Sequence, residues 1–293
     1  MNTPNPPAAP SRLINLAPGI VAATSFAIGD VFSKVVLVTG GDVLSLAMFR
    51  SVFSVVVIFV WLWVAPPPAP HTPRQRNISL AIGVLFAGIV FGLFKSIELA
   101  QVPVAILSYF VYPLLTGIVG TLLGIDKLTW RGATAAVTAF FGLTLIVGAQ
   151  PGALALAGIG FAVGAACCRT ATLLITRAML QDADTRLIAW YTMLSSTAIF
   201  VAFSLGTWHW QGPQTGYGWF ALMVVSIVVT VAVLTLFKSI ERIGPFRSAL
   251  IMNLEPLLAT ILSVPLLGEV ITPLQGLGGA IMLAALVAFQ LRR

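Results

Sequence analysis

The apolar positions of this chain fall into ten long runs separated by short polar breaks, at 13–38, 43–65, 78–100, 103–124, 132–149, 153–176, 187–208, 218–240, 245–266 and 275–291. A bilayer core about 30 Å thick is crossed by about 20 mostly apolar helical residues. Each run therefore predicts one transmembrane helix, and little chain is left over for a soluble domain. The longest break, PPPAPHTPRQRN from Pro66 to Asn77, predicts an extended polar loop because its prolines resist helix. Residues 1–12, MNTPNPPAAPSR, lack the ordered regions of a signal peptide and predict a disordered tail, with the first run retained as a span.

Composition sharpens this reading. Hydrophobic residues make up 58% and charged residues 9%, with a mean hydropathy of +1.01. Ordinary globular chains carry roughly 45–50% and about 25%. A soluble protein could not cover its surface with so few charges, so the expected fold class is an all-α integral membrane protein. The net charge of +7 could suggest a nucleic-acid partner, but the basic residues are scattered between apolar runs and form no patch. Their distribution carries a topological signal instead. Arg12, Arg74, Arg76, Lys127, Arg131, Arg177, Arg186, Arg242, Arg247, Arg292 and Arg293 fall on one side of the alternating spans. Asp42, Lys95, Glu98, His209 and Glu269 fall on the other. The positive-inside rule then predicts both termini in the cytoplasm of a multi-pass membrane protein.

Several chemistries find no support. Cys167 and Cys168 are adjacent within an apolar run, which predicts neither a disulfide nor a metal site. No Gly-x-x-x-x-Gly-Lys-Ser/Thr loop is present to cradle a nucleotide, and no His, Cys or carboxylate cluster has metal spacing. The expectation is a protein that is not an enzyme and has no cofactor.

An internal repeat carries more information. LFKSIE occurs at Leu93–Glu98 and again at Leu236–Glu241, 143 residues later. At the same offset Pro113, Leu114 and Leu115 fall on Pro256, Leu257 and Leu258, and Ile118 falls on Ile261. Asp126 falls on Glu269 and Lys34 on Arg177. Shared leucines would mean little between apolar segments, but shared Lys, Ser, Glu and Pro imply duplication. The two copies of LFKSIE close the third and eighth spans. Five spans separate them, so they cross the bilayer in opposite senses. Two five-helix repeats, 13–149 and 153–291, are thus predicted to be inverted about an axis in the membrane plane. That is the architecture of alternating-access carriers, with a substrate site near the midplane between the repeats.

The stretch EPLLATILSVPLLGEVITPLQGLGGAIMLAALV, from Glu255 to Val287, resembles the drug/metabolite transporter superfamily in its EamA type. The first half holds a weaker copy, YPLLTGIVGTLLGIDKLTWRG, with Tyr112 and Asp126 where the second half has glutamates. Lys34 closing the first span and Arg50 in the second also match that pattern, and the likeness runs over the whole chain after the tail. It implies an exporter or exchanger of small metabolites. The aromatic-rich first half is similar to the YddG-like branch, which implies aromatic and other apolar amino acids as substrates. Exchange of phosphorylated or nucleotide-linked metabolites, or drug export, stands as the alternative.

Ionisable residues inside a membrane are costly, so each is a functional candidate. Asp30 with Lys34 or Arg50 predicts an internal ion pair. Glu255 and Arg169, at matching depth near mid-membrane, predict a second. A carboxylate held in such a pair would serve structure, and export would then need no coupling ion. Pro113 and Pro256 predict kinks in the fourth and ninth spans. Ser108, Tyr109, Phe110 and Tyr112, with Met252 and Asn253, cluster about these prolines and could line a cavity suited to an apolar zwitterion. Phe94, Trp190 and Tyr191 are further aromatic candidates. For all of them, plain packing or a place against lipid is the alternative.

Overall fold

A computed structural model of the chain describes residues 12–100, 102–147, 156–207, 210–268 and 270–291. These residues form twelve helices and, among them, no strand. In chain order they are α1 (Arg12–Val38), α2 (Val43–Val64), α3 (Pro73–Leu99), α4 (Val102–Tyr109), α5 (Tyr112–Leu122), α6 (Trp130–Val147), α7 (Leu156–Met179), α8 (Thr185–Thr207), α9 (Gly216–Ile243), α10 (Pro245–Ile251), α11 (Leu254–Leu267) and α12 (Pro273–Leu291). Nine segments of the described residues are long and apolar enough to cross a membrane, counting α4 with α5 and α10 with α11 as single spans. The apolar stretch Pro273–Phe289 in α12 is shorter and forms the tenth. The protein is an all-α integral membrane protein built from two inverted five-span repeats.

Most helix ends fall within three residues of the apolar runs, but α3 starts at Pro73, inside the stretch expected to be loop. A capping box explains this. The Thr72 hydroxyl accepts the Gln75 N–H at 3.2 Å, and the Gln75 side chain accepts the Thr72 N–H at 2.9 Å. Pro73 in the first turn has no N–H to leave unsatisfied. Residues 1–11 of the expected tail lie outside the described residues, and Arg12 already begins α1.

The fourth and ninth spans are broken rather than merely kinked. The chain leaves the helix at Phe110 and Val111, and again at Met252 and Asn253; under the repeat Phe110 falls on Asn253, so the second break is displaced by one residue. Pro113 has no N–H for the Tyr109 carbonyl, and Pro256 has none for the Met252 carbonyl; the first helix stops at Tyr109, four residues ahead of its proline, and the second at Ile251, five ahead. After the second break the Glu255 N–H bonds the Met252 carbonyl at 3.0 Å, a tighter turn that restarts the helix.

Packing follows the same symmetry. The extensive contact of α1 with α9 is repeated as that of α7 with α3, while α2 meets α8 and α6 meets α12 across the pseudo-two-fold axis. Small residues make the last of these possible. A Cβ on Gly142 would stand 2.6 Å from the Gly278 carbonyl oxygen, and one on Gly278 would stand 2.5 Å from that of Gly142.

Hydrogen bonds tie the helix ends together on both faces. On the face bearing the arginines, Arg177 donates to the Glu241 carbonyl at 2.9 Å and Arg242 to that of Ile14 at 3.0 Å. Here too α5 packs against α10. The Asp126 carboxylate accepts the Phe246 N–H at 3.1 Å, and the Phe246 ring lies where a Cβ on Gly117 or Gly132 would sit. On the opposite face the equivalent helices, α4 and α11, do not pack in this way. The bundle is closed at the basic face and parted at the other.

On that parted face Asp42 caps α2, accepting the Ser45 N–H at 2.9 Å and the Gln211 N–H at 2.8 Å, with the Ser45 hydroxyl also on its carboxylate. Burial works to raise the Asp42 pKa, but the bonds from Ser45 and Gln211 outweigh it and hold the carboxyl below its ordinary value. This stabilisation is fully present above the unfolded pKa, about 4, and is lost as the pH falls through the folded one. Asp42→Ala is expected to lower stability by about 0.5–2 kcal/mol at neutral pH. The loss should shrink towards pH 3 in thermal unfolding of the detergent-solubilised protein.

Candidate functional site

The two helix breaks place ionisable and aromatic side chains from both repeats at one level of the bundle. The first break gathers three rings. The Tyr109 centroid lies 5.3 Å from those of Phe110 and Tyr112, which are 5.8 Å apart. Tyr112 is almost wholly buried. Its carbonyl accepts the Thr116 hydroxyl at 2.7 Å and the Thr170 hydroxyl at 3.3 Å, which locks α5 to α7 just below the break.

Arg169, beside Thr170, is only 4% exposed. Its guanidinium carbon stands 5.5 Å from the Phe26 ring centroid and 5.8 Å from that of Tyr112. Arginine keeps its charge in any such setting. Two aromatic faces offset part of the desolvation, yet the buried Nε–H finds no acceptor. A fixed positive charge with an unused donor is suited to an incoming carboxylate.

The carboxyls lie beside it. Asp30 on α1 and Glu255 at the start of α11 lie near enough to act on each other's charge. Arg50 on α2 is the nearest cation acting on Asp30, and its Nε is also buried without an acceptor. Among the described residues no ion pair within 4.0 Å joins Asp30 to Arg50 or Glu255 to Arg169. This corrects the expected pairing of Glu255 with Arg169. The two match in depth, but Arg169 is set over the Phe26 and Tyr112 rings instead. Asp30 is exposed although it sits about 12 Å inside the end of α1.

The remaining candidates divide. Met252 and Asn253 are buried at the second break, and Ser108 is half-buried on α4. Lys34 is exposed one turn beyond Asp30. Phe94 is 37% exposed on α3, with no ring contact to the tyrosines. Trp190 packs against Phe59 at 6.1 Å and Tyr191 at 4.8 Å, so it belongs to the α2–α8 contact rather than to this cluster. Phe26, Thr116 and Thr170 were not among the expected site residues. Phe26 stands one helical turn before Asp30, and that spacing is the signal that could have marked it. A separate cleft of about 770 Å³ opens at the basic face, between the 68–72 loop and the 181–186 turn.

A family model described as the EamA-like transporter family matches residues 15–148 and again residues 156–289. No curated protein matches the chain. A solved structure described only as the crystal structure of a protein superposes with a TM-score of 0.77 at 17% identity, over 96% of this chain and 99% of that one. At that identity the likeness speaks to the fold alone.

Proposed function

The chain belongs to the EamA-like transporter family, within the drug/metabolite transporter superfamily, and from that premise we infer that it is a secondary carrier exporting aromatic and other apolar amino acids. One observation carries the reading: carboxyls, guanidiniums and tyrosine rings converge where both broken spans meet. An amino acid presents the complement of that set. Its ammonium group suits Asp30 and Glu255, its carboxylate suits Arg169, and an apolar side chain suits Phe26, Tyr109 and Tyr112. A phosphorylated metabolite would meet two carboxylates beside its own negative charge, which disfavours that alternative. Alternating access then exchanges the closure at the basic face for closure of the α4–α11 gap.

The test is counterflow in proteoliposomes. Tyr109→Ala and Tyr112→Ala are each expected to slow phenylalanine and tryptophan exchange about 2- to 10-fold more than alanine exchange, from the loss of ring contacts worth about 0.5–1.5 kcal/mol. Equal losses for all substrates would overturn the assignment of the rings to a substrate pocket.

The basic face is taken as cytoplasmic, in a bacterial inner membrane, with both termini inside. Single cysteines introduced at positions 2 and 293, with Cys167 and Cys168 replaced by serine, should react with an impermeant maleimide only after the membrane is opened. Reaction in sealed cells would reverse the orientation.

A further inference from the structure

We propose that the cleft at the basic face, between the 68–72 loop and the 181–186 turn, seats the headgroup of an amine-bearing zwitterionic phospholipid from the adjacent leaflet. Its acyl chains lie along α2 and α9.

The shape of the surface leading into the cleft calls for an amphiphile. The cleft measures about 770 Å³, within the range of small-molecule sites. On α9 the exposed Ile227 and Val231 lead, at spacings of four, three and four residues, to Leu234 and Lys238 in its wall. Residues so spaced share one helix face. On α2 the exposed Val57 and Val60 lead in the same way to Trp61, also in the wall. An apolar strip thus runs from the lipid-facing flank of the bundle into a polar chamber at the membrane edge.

Charge selects the head. Asp182, Asp184 and Glu241 line the cleft against Arg186 and Lys238, which leaves a net charge of minus one. His71 stacks on Tyr191 with ring centroids 5.6 Å apart. Burial holds its imidazole below the ordinary value, so at neutral pH it adds no charge. Both bases are largely engaged. Lys238 donates to the two Glu241 carboxylate oxygens at 2.6 and 2.8 Å. Arg186 donates to Asp184 through Nε at 3.1 Å and Nη2 at 2.8 Å, and to the Ala65 carbonyl through Nη1 at 2.8 Å. One N–H of Lys238 and two of Arg186 stay unspent, enough to bind phosphate oxygens. They do not supply the surplus of positive charge that a net anion needs. Asp182 is exposed and has no ion-pair partner among the described residues, which suits a primary ammonium. A quaternary ammonium has no N–H to donate, and the Arg186 guanidinium, 5.4 Å from the Trp61 centroid, already takes up a face of that ring. Phosphatidylethanolamine meets these conditions together. Phosphatidylglycerol adds a negative charge, and phosphatidylcholine lacks the donors.

The duplication supplies no second copy. At the offset of 143 residues Lys238 and Glu241 return as Lys95 and Glu98. Trp61, Asp182, Asp184 and Arg186 fall instead on Ser204, Thr39, Gly41 and Val43. The site therefore reads one leaflet, and its occupant joins the two repeats where the bundle is closed.

Delipidated protein in detergent is titrated with phosphatidylethanolamine, phosphatidylglycerol or phosphatidylcholine of identical chains, and native mass spectrometry reads the binding. The first lipid is expected to bind about 3- to 10-fold more tightly than either of the others. Asp182→Asn should cut that preference. Asp182→Lys turns the cleft charge from minus one to plus one and should shift the preference to phosphatidylglycerol, a reversal that misfolding cannot produce. Lys95→Gln, at the matching ion pair on the other face, should leave the wild-type preference unchanged. Equal binding of the three lipids, or a preference that both Asp182 variants retain, would overturn the proposal. Soluble phosphoethanolamine bound as tightly as the lipid would also overturn it, because the cleft would then serve a free metabolite.

Discussion

Arg169→Met is expected to slow phenylalanine counterflow about 10- to 150-fold, the loss of a charge-assisted contact worth roughly 1.5–3 kcal/mol. The guanidinium is buried over the Phe26 and Tyr112 rings. Methionine fills similar space between the rings and keeps the packing. Arg169→Lys should recover part of the loss, since an ammonium supplies the charge but not the planar fork. Competition by phenethylamine, which lacks the carboxylate, separates binding from folding. Its inhibition should survive in Arg169→Met, whereas equal loss for amine and amino acid would reduce Arg169 to a packing residue.

The largest effect on stability is expected at Gly278. Its Cα lies so close to α6 that a Cβ would stand 2.5 Å from the Gly142 carbonyl oxygen and 2.9 Å from the Ile146 nitrogen. Both are backbone atoms that no rotamer change can move. Gly278→Val must therefore force α6 and α12 apart, and overpacking of this kind costs about 1–3 kcal/mol or more. Gly276, two residues earlier on the same helix, has nothing within 4 Å of its missing Cβ. Gly276→Ala should leave thermal unfolding in detergent unchanged or raise it slightly, as replacement of a helical glycine permits. Similar midpoints for the two variants would contradict the close approach.

The spans and their inversion were legible in the chain because polar residues are scarce within lipid. When Lys, Ser and Glu recur in the same six-letter string, duplication is the economical cause, and an odd number of intervening spans turns duplication into inversion. The charged residues of the site were legible for the same reason. Their pairing was not. Counting along a helix gives depth, which is one coordinate, and says nothing of the direction in which the side chain leaves the axis. Glu255 and Arg169 share a depth, yet no ion pair joins them and the guanidinium is set over Phe26 and Tyr112. Phe94 and Trp190 illustrate the same limit, since a ring facing lipid or a packing seam has the same letter as a ring facing a cavity. Phe26 carried a positional clue in its spacing from Asp30, yet it was one of eighteen phenylalanines. Residues 73–77 were lost to a different effect, since proline reads as a breaker unless Thr72 and Gln75 are recognised as the frame of a helix start.

The bond from the Phe246 N–H to Asp126 has a consequence for how such a machine idles. Under the repeat, Asp126 corresponds to Glu269 and Phe246 to Pro103. Proline has no N–H, so closing the other mouth cannot reproduce this latch. A perfectly mirrored carrier would divide its time evenly between its two postures. This one is tilted by the worth of a hydrogen bond to a charged group, roughly 1.5–3 kcal/mol. Under the proposed alternating access, the carrier without cargo is expected to dwell with the basic side shut, so a ligand that cannot be carried would find it from the opposite side of the membrane.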